Sequence, residues 1–256
     1  MMAGTIVMIH GMMGGAWCWE KYKDFFEARG YRCITPVLRY HDMDPLGKPD
    51  PRLGATSLLD YARDLEEGIA NLDEPPVLMG HSMGGLLAQI LGSRGVARAM
   101  VLLTPAAPAD IMSVNYSVFK SFLGMLPQMD FCRKSFRASF QGAVDAMLHR
   151  LSPEEQKRVY NRMVYESVRV VFEIGCWFLD FHRAARVDSQ KIQCPVLVIA
   201  GKEDRITPAS VVKKVAGKYK SVATYREFDH THWMIGEPGW EVTAGYVAGW
   251  LSGLPG

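Results

Sequence analysis

Apolar residues along the chain gather in six short runs, and the stretches between them carry helical periodicity instead. The runs are "TIVMIH" (5–10), "YRCITP" (31–36), "PVLMG" (76–80), "AMVLLT" (99–104), "PVLVIAG" (195–201) and "ATYREF" (223–228). They are continuous rather than alternating, which suggests strands buried on both faces, as in a parallel sheet. Helical patterns fall at 17–29, 57–71, 84–93, 208–219 and 239–252, the last starting after Pro238. Strand and helix in alternation predict a mostly parallel, doubly wound α/β sheet of about six strands.

One stretch breaks the rhythm. Between Pro108 and Ser189 no run reads as a strand, and the pattern is helical throughout, as in "PEEQKRVYNRMVYESVRVVFEIGCWFLDFHRAAR". Ser152-Pro153-Glu154-Glu155 is a helix start, with a capping serine, proline at the first position and acids in the first turn. The expected organisation is therefore a core from 1–107 and 190–256, with a helical cap inserted at 108–189. The cap is crowded with Phe, Tyr, Trp and Met, most of which the periodicity assigns to the insertion's own core. "DMDPLGKPDPRLG" (42–54) reads as a proline-rich surface loop.

Composition narrows the function classes. At 256 residues with 48% apolar content, the chain can bury a large core without disulfides or metals. Its 29 basic and 27 acidic residues give a net charge of +2, with no basic run, so no nucleic-acid partner is expected. The five cysteines, Cys18, Cys33, Cys132, Cys176 and Cys194, are scattered and never in a C-x-x-C pair, which predicts free thiols in a reducing cytoplasm. No signal peptide or membrane-spanning stretch is expected. The histidines lack zinc-ligand spacing, so neither metal nor cofactor is expected. The oligomeric state has no signature in the sequence.

The chemistry begins at "LMGHSMGGL" (78–86). A strand ends near Met79 and a helical pattern starts directly after Ser82. Turning that tightly forces strained backbone angles at the serine, and Gly80 and Gly84 relieve the crowding around it. The hydroxyl is thereby held above the C-terminal edge of the sheet, at a helix N-terminus. A serine nucleophile needs a base, and the base needs an orienting acid. Loops at the same sheet edge supply candidates: Asp204 (or its neighbour Glu203) after the fifth run, and His230 and His232 after the sixth. The chain order is serine, acid, histidine.

These motifs resemble those of the α/β-hydrolase superfamily over nearly the whole chain. "HGMMGGAWCW" is similar to the family's oxyanion loop and "GHSMGG" to its nucleophile elbow. "PVLVIAGKEDRITP" resembles its acid-bearing strand and loop, and "HWMIGEP" its histidine loop. The resemblance implies Ser82 as nucleophile, His232 as general base and Asp204 as orienting acid. It also implies an oxyanion hole from the backbone N–H groups of Met12 and Met83, whose side chains would line the pocket. The first strand run resembles the family's third strand, so six parallel strands without the family's N-terminal hairpin are expected, with an implied order of 2-1-3-4-5-6.

Competing residues have other expected places. His232 matches the family spacing to Glu237-Pro238 better than His230, and Asp204 matches the acid position better than Glu203. His81 is expected to pack behind the elbow and His10 to brace the oxyanion loop. His149 and His182 fall in the cap, as surface or pocket-wall residues. Cys18 and Cys176 lack any activating motif. The implied activity is hydrolysis of a small ester or related acyl compound, with an apolar or aromatic acyl group favoured by the cap. Lactone, thioester and carbon–carbon bond hydrolysis use the same apparatus, as does a hydroxynitrile lyase, and a hydrolase-fold receptor shares the fold. A haloalkane dehalogenase would need a carboxylate where Ser82 stands.

Overall fold

The computed structural model describes residues 3–112, 133–219 and 221–254. Four strands, β1 (Thr5–Ile9), β2 (Arg32–Ile34), β3 (Val77–His81) and β4 (Ala99–Leu103), precede the insertion. Within it lie β5 (Ser135–Phe136) and β6 (Glu166–Ser167), and β7 (Val196–Gly201) and β8 (Ala223–Phe228) follow. Six of these form one sheet in the order β2-β1-β3-β4-β7-β8, with every pairing parallel. This is the expected order.

The continuous apolar runs have the expected cause. Every residue of β1, β3, β4 and β7 is buried, because helices cover both faces of the sheet. Alternate side chains go to opposite layers. Val7, Ile9, Leu78, Met100, Leu102, Val196 and Val198 pack on α2 (Leu58–Ile69), α3 (Met83–Gly92) and a later helix at Ala209–Lys218. Ile6, Met8, Val77, Met79, Val101, Leu103 and Leu197 face α1 (Glu20–Glu27) and the last helix, Trp240–Ser252. The edge strand β8 is only half-buried, as its polar residues require. After β1 the chain runs to β2 on one side, then returns to β3 on the other. The loops following β1 and β3 therefore flank the crevice at the switch point of the sheet, where ligands of such folds bind.

The insertion between β4 and β7 departs from the expected pattern in three ways. First, it is not purely helical: β5 and β6 pair antiparallel. Strands of two residues carry no periodic signal, and this pair is held from outside, by the Ser167 hydroxyl on the Gly54 and Thr56 carbonyls. Second, the long helical pattern is broken. α5 (Pro153–Arg162) starts where expected, with a capping box between Ser152 and Glu155 and proline in its first turn. It stops at Met163, whose ψ of 140° is extended, and the next N–H, on Val164, goes to the carbonyl of Met13. A new helix, α6 (Val168–Gly175), then begins. The short helix Phe140–Ala143 is α4, Ala209–Lys218 is α7 and Trp240–Ser252 is α8.

The third departure concerns the cap aromatics. Among the described residues none of Phe136, Phe140, Tyr160, Tyr165, Phe172, Trp177, Phe178 and Phe181 is buried, and Phe181 is 97% exposed. The buried side chains of the cap are smaller ones such as Leu148, Leu151, Val159, Val164 and Val170. Phe119, Phe122 and Phe131 lie outside the described residues. Two buried carboxylates fasten the cap to the core. Glu173 on α6 accepts the Ser57 hydroxyl (2.8 Å) and the Leu58 N–H (2.7 Å), satisfying donors at the start of α2. Glu166 on β6 accepts from Tyr61 of α2 at 2.8 Å.

Candidate active site

Ser82 joins β3 to α3 with φ 55° and ψ −120°, a left-handed backbone that serine rarely adopts. The strain is held by backbone bonds on both sides. Its N–H donates to the Leu103 carbonyl at 3.1 Å, and its own carbonyl accepts from Ala106 at 2.8 Å and Gly85 at 2.9 Å. The two flanking glycines are required by close approach. A Cβ at Gly80 would collide with the Gly84 backbone, and one at Gly84 with the carbonyl oxygen of Ile9 in β1. The Ser82 hydroxyl makes no capping bond to α3, so it is not consumed by the helix it precedes.

The oxyanion-loop candidate lies directly alongside. A Cβ at Gly11 would sit 3.0 Å from the Ser82 Cβ. Gly11–Gly14 form a turn closed by the Gly14 N–H on the Gly11 carbonyl at 3.2 Å. Met12 is the second residue of that turn and Met83 the first of α3, so their backbones flank the serine from two loops. The side chains do not both line a pocket as expected. Met83 is 0% exposed and belongs to the core layer under α2 and α3, while Met12 packs at the margin of that layer.

Asp204 and His232 meet. Asp204 Oδ2 lies 2.8 Å from His232 Nδ1. The other carboxylate oxygen accepts the N–H groups of Ile206 (2.7 Å) and Thr207 (2.8 Å), and the Thr207 hydroxyl adds a bond to Oδ2 at 2.8 Å. Burial pushes the Asp204 carboxyl up, but the His232 ring and the Thr207 donors outweigh it, leaving the group below the ordinary carboxylate range. A carboxylate can only accept, so Nδ1 of His232 carries the proton and Nε2 presents a lone pair. His81 and Thr104 bring that ring to the elbow. His81 Nε2 donates to the His232 carbonyl at 2.7 Å, its ring centre is 5.0 Å from the His232 ring, and the Thr104 hydroxyl lies 3.4 Å from the same carbonyl.

The competitors are placed elsewhere. Glu203 is exposed, facing Arg150 at 3.7 Å and His149 at 3.9 Å. His230 is paired through Nδ1 with Glu237 at 2.5 Å, and Glu237 also accepts the Thr231 N–H (2.8 Å) and hydroxyl (2.6 Å). Burial raises the Glu237 carboxyl, and these donors more than offset it. Glu237 thus clamps the turn that precedes His232. Burial and the neighbouring His232 charge push His81 down to about 3, which keeps it neutral. His10 is pushed down to about 3 by burial and by His41; its Nε2 accepts the Leu38 N–H (3.1 Å), so Nδ1 donates to the Gly11 carbonyl at 2.8 Å. His149 is partly buried and His182 exposed.

Burial pushes the thiols of Cys18 and Cys33 up to about 12, and raises those of Cys176 and Cys194 too, which leaves all four poor nucleophiles. Cys132 lies outside the described residues. Among the described residues no group of three His, Cys, Asp or Glu side chains could hold a metal ion, and no helix is long and apolar enough to cross a membrane.

Three residues of this site escape a reading of the sequence. Thr207 holds Asp204 from both its backbone and hydroxyl, and only its place before Pro208 hints at a role. His41 and Glu166 form a buried pair at 3.1 Å next to His10, 125 positions apart in the chain. A single glutamate in the apolar stretch "RMVYESVRVVF" is the only local signal for it.

Comparison with known proteins places the chain by family and fold. A putative non-heme chloroperoxidase of Synechocystis is 30% identical over 217 residues, covering 79% of this chain and 75% of that protein. Methylesterase 9 of Arabidopsis thaliana is 29% identical over 160 residues, 60% of each chain, so this chain spans well under the full length of that relative. An extracellular α/β-hydrolase from a Paenibacillus species, described as sharing structural and functional homology with tobacco salicylic acid binding protein 2, superposes with a TM-score of 0.74. It is 19% identical, covering 96% of this chain and 98% of that one, a likeness of fold. The model of the alpha/beta hydrolase family matches residues 6–244, and the chain belongs to that family.

Proposed function

We propose that the protein is a serine hydrolase of small esters with an apolar or aromatic acyl group, working through an acyl-enzyme on Ser82. The observation that carries this reading is the Asp204–His232 pair at 2.8 Å, tied through His81 and Thr104 to a strained, uncapped serine. In the proposed cycle His232 Nε2 takes the Ser82 proton as the oxygen attacks the carbonyl carbon. Asp204 holds the ring in the required tautomer and stabilises the imidazolium. The N–H groups of Met12 and Met83 receive the oxyanion, the alcohol leaves with the proton from His232, and water then cleaves the acyl-enzyme by the same route. The cap, with boundaries at 108 and 189, would cover the acyl group. Its unburied aromatic side chains support an apolar or aromatic acyl group, and the methylesterase relatives support an ester substrate.

The test is covalent. A fluorophosphonate should label Ser82 and nothing else, and Ser82→Ala should abolish labelling and lower turnover of a p-nitrophenyl ester by on the order of a millionfold. Pre-steady-state release of the alcohol as a burst would be expected of an acyl-enzyme. Labelling at another residue would remove Ser82 as the nucleophile, and a wild-type protein that binds esters without releasing alcohol would replace this reading with a lyase or a receptor.

A further inference from the structure

Met13, next to Met12, an oxyanion donor of the proposed cycle, has φ 58°. It occupies the third position of the Gly11–Gly14 turn, where a positive φ ordinarily selects glycine or asparagine. For a side chain like methionine that conformation is strained, and it persists only where surrounding groups over-determine it. The described cap residues supply three such constraints. The Val164 N–H donates to the Met13 carbonyl at 3.0 Å, the Met13 N–H donates to Glu166 Oε2 at 3.4 Å, and the Ala138 N–H contacts Met13 Sδ at 3.4 Å.

Glu166 is itself rigidly held. It is 0% exposed, with Oε1 accepting the Tyr61 hydroxyl (2.8 Å) and the Ser167 N–H (2.8 Å), and Oε2 facing His41 Nε2 at 3.1 Å. Burial opposes charge on both partners, yet their mutual attraction and these bonds prevail: the carboxyl stays below its ordinary range and His41 above its own. A buried ion pair left half-made is costly, so the network resists rearrangement. A second route leads to the same turn. The His41 ring is 5.2 Å from His10, and His10 donates to the Gly11 carbonyl.

We propose that the cap sets the oxyanion loop: Glu166, on β6, is a positioning residue that holds Met13 left-handed and so aims the Met12 N–H at the carbonyl attacked by Ser82. This rests on the acyl-transfer reading and assigns part of its geometry to a residue that never touches substrate. Cap docking and catalytic competence are then one event, because the contacts that seat the cap also shape the hole.

The test compares wild type with Glu166→Gln, which keeps the size and the acceptor for Tyr61 but removes the charge. A p-nitrophenyl ester reports kcat and KM, and an aryl trifluoromethyl ketone, which forms an oxyanion-bearing adduct on the serine, reports the hole itself. The expected result is a kcat lower by about 10-fold or more, KM within about threefold, and ketone affinity lost in step with kcat. Hydrogen exchange of the segment containing Met13 should quicken in the variant, a readout independent of turnover. A folded Glu166→Gln with kcat and ketone affinity within about twofold of wild type, or with a change confined to KM, overturns the inference. If that variant does not fold, Tyr61→Phe decides on the same criteria, since it removes a single bond to Glu166. Wild-type protein that neither labels at Ser82 nor turns over esters refutes the hydrolase reading instead. Exchange at Met13 that is unchanged in the variant refutes the positioning role by itself.

Discussion

At the scale of single residues, Asp204 and Glu203 stand side by side in the chain and in different worlds in the fold. Asp204 is 6% exposed with both oxygens occupied, while the Glu203 side chain is 51% exposed among arginine and histidine. Asp204→Asn keeps the shape but can present an amide N–H to His232 Nδ1, turning the imidazole to the tautomer whose Nε2 cannot accept a proton. In chymotrypsin-type serine proteases the equivalent change costs about 10⁴ in turnover. A loss of roughly 10²–10⁴ is expected here, with fluorophosphonate labelling slowed in parallel. Glu203→Gln should stay near wild type. Equal damage from the two substitutions, with both proteins folded, would remove Asp204 from its assigned place.

Between elements, glycine decides how closely α3 approaches β1. Replacing a helical glycine with alanine normally gains about 1 kcal/mol of helix propensity. At Gly84 that gain is overridden, because the added Cβ would meet the Ile9 and His10 carbonyls, which are backbone and cannot step aside. Overpacking of this kind costs about 1–3 kcal/mol, and here the strand and the elbow would have to part. Gly249 on α8 is the control: it is exposed, with nothing within 4 Å of its missing Cβ. Thermal unfolding should therefore shift down for Gly84→Ala and up for Gly249→Ala. A Gly84→Ala protein as stable and active as wild type would mean that the elbow does not depend on this contact.

For the whole molecule, buried imidazoles make stability depend on pH. His10 and His81 are held near 3 when folded against an ordinary value of 6.5, so between those limits the unfolded chain binds more protons. Stability is then full above about 6.5 and declines as the pH falls through that window. His41 works oppositely. Its raised value stabilises the fold below 6.5 and is lost as the pH rises through it, but it is one group against two. The depressed carboxyls of Asp204, Glu166 and Glu237 add a further decline in the acid range, below their ordinary values of 3.8 to 4.5. The Tm should drop steadily between pH 7 and 5. His81→Gln, which can still donate to the His232 carbonyl but cannot titrate, should lower Tm at pH 7 and flatten that slope. An unchanged slope in this variant would show that His81 is not the group responsible.

The sheet's strands and the candidate residues at its C-terminal edge could be read along the chain, because each depends on local pattern; the strand order and the roles of Ser82, Asp204 and His232 came from the resemblance to the family's motifs. Runs such as 195–201 are apolar throughout because helices cover both sheet faces, and the elbow glycines announce a turn that only their lack of a Cβ allows. The preference for Asp204 over Glu203 as the partner of His232 came from the same resemblance, and the structure pairs those two residues. The cap was legible as an insertion but not in its interior. α5 ends at Met163 because the Val164 N–H finds a partner 151 residues away on Met13, a bond with no trace in periodicity. The same holds for the described cap aromatics, which helical spacing assigned to the insertion's core: none is fully buried, and Phe136 and Phe172 pack only partly covered beside Val168 and Cys176. Glu166 and His41 are ordinary polar residues in the sequence. Only tertiary structure makes them a buried ion pair behind the oxyanion loop, since a charge is stable without water when the fold delivers its partner, and the fold alone specifies which partner that is.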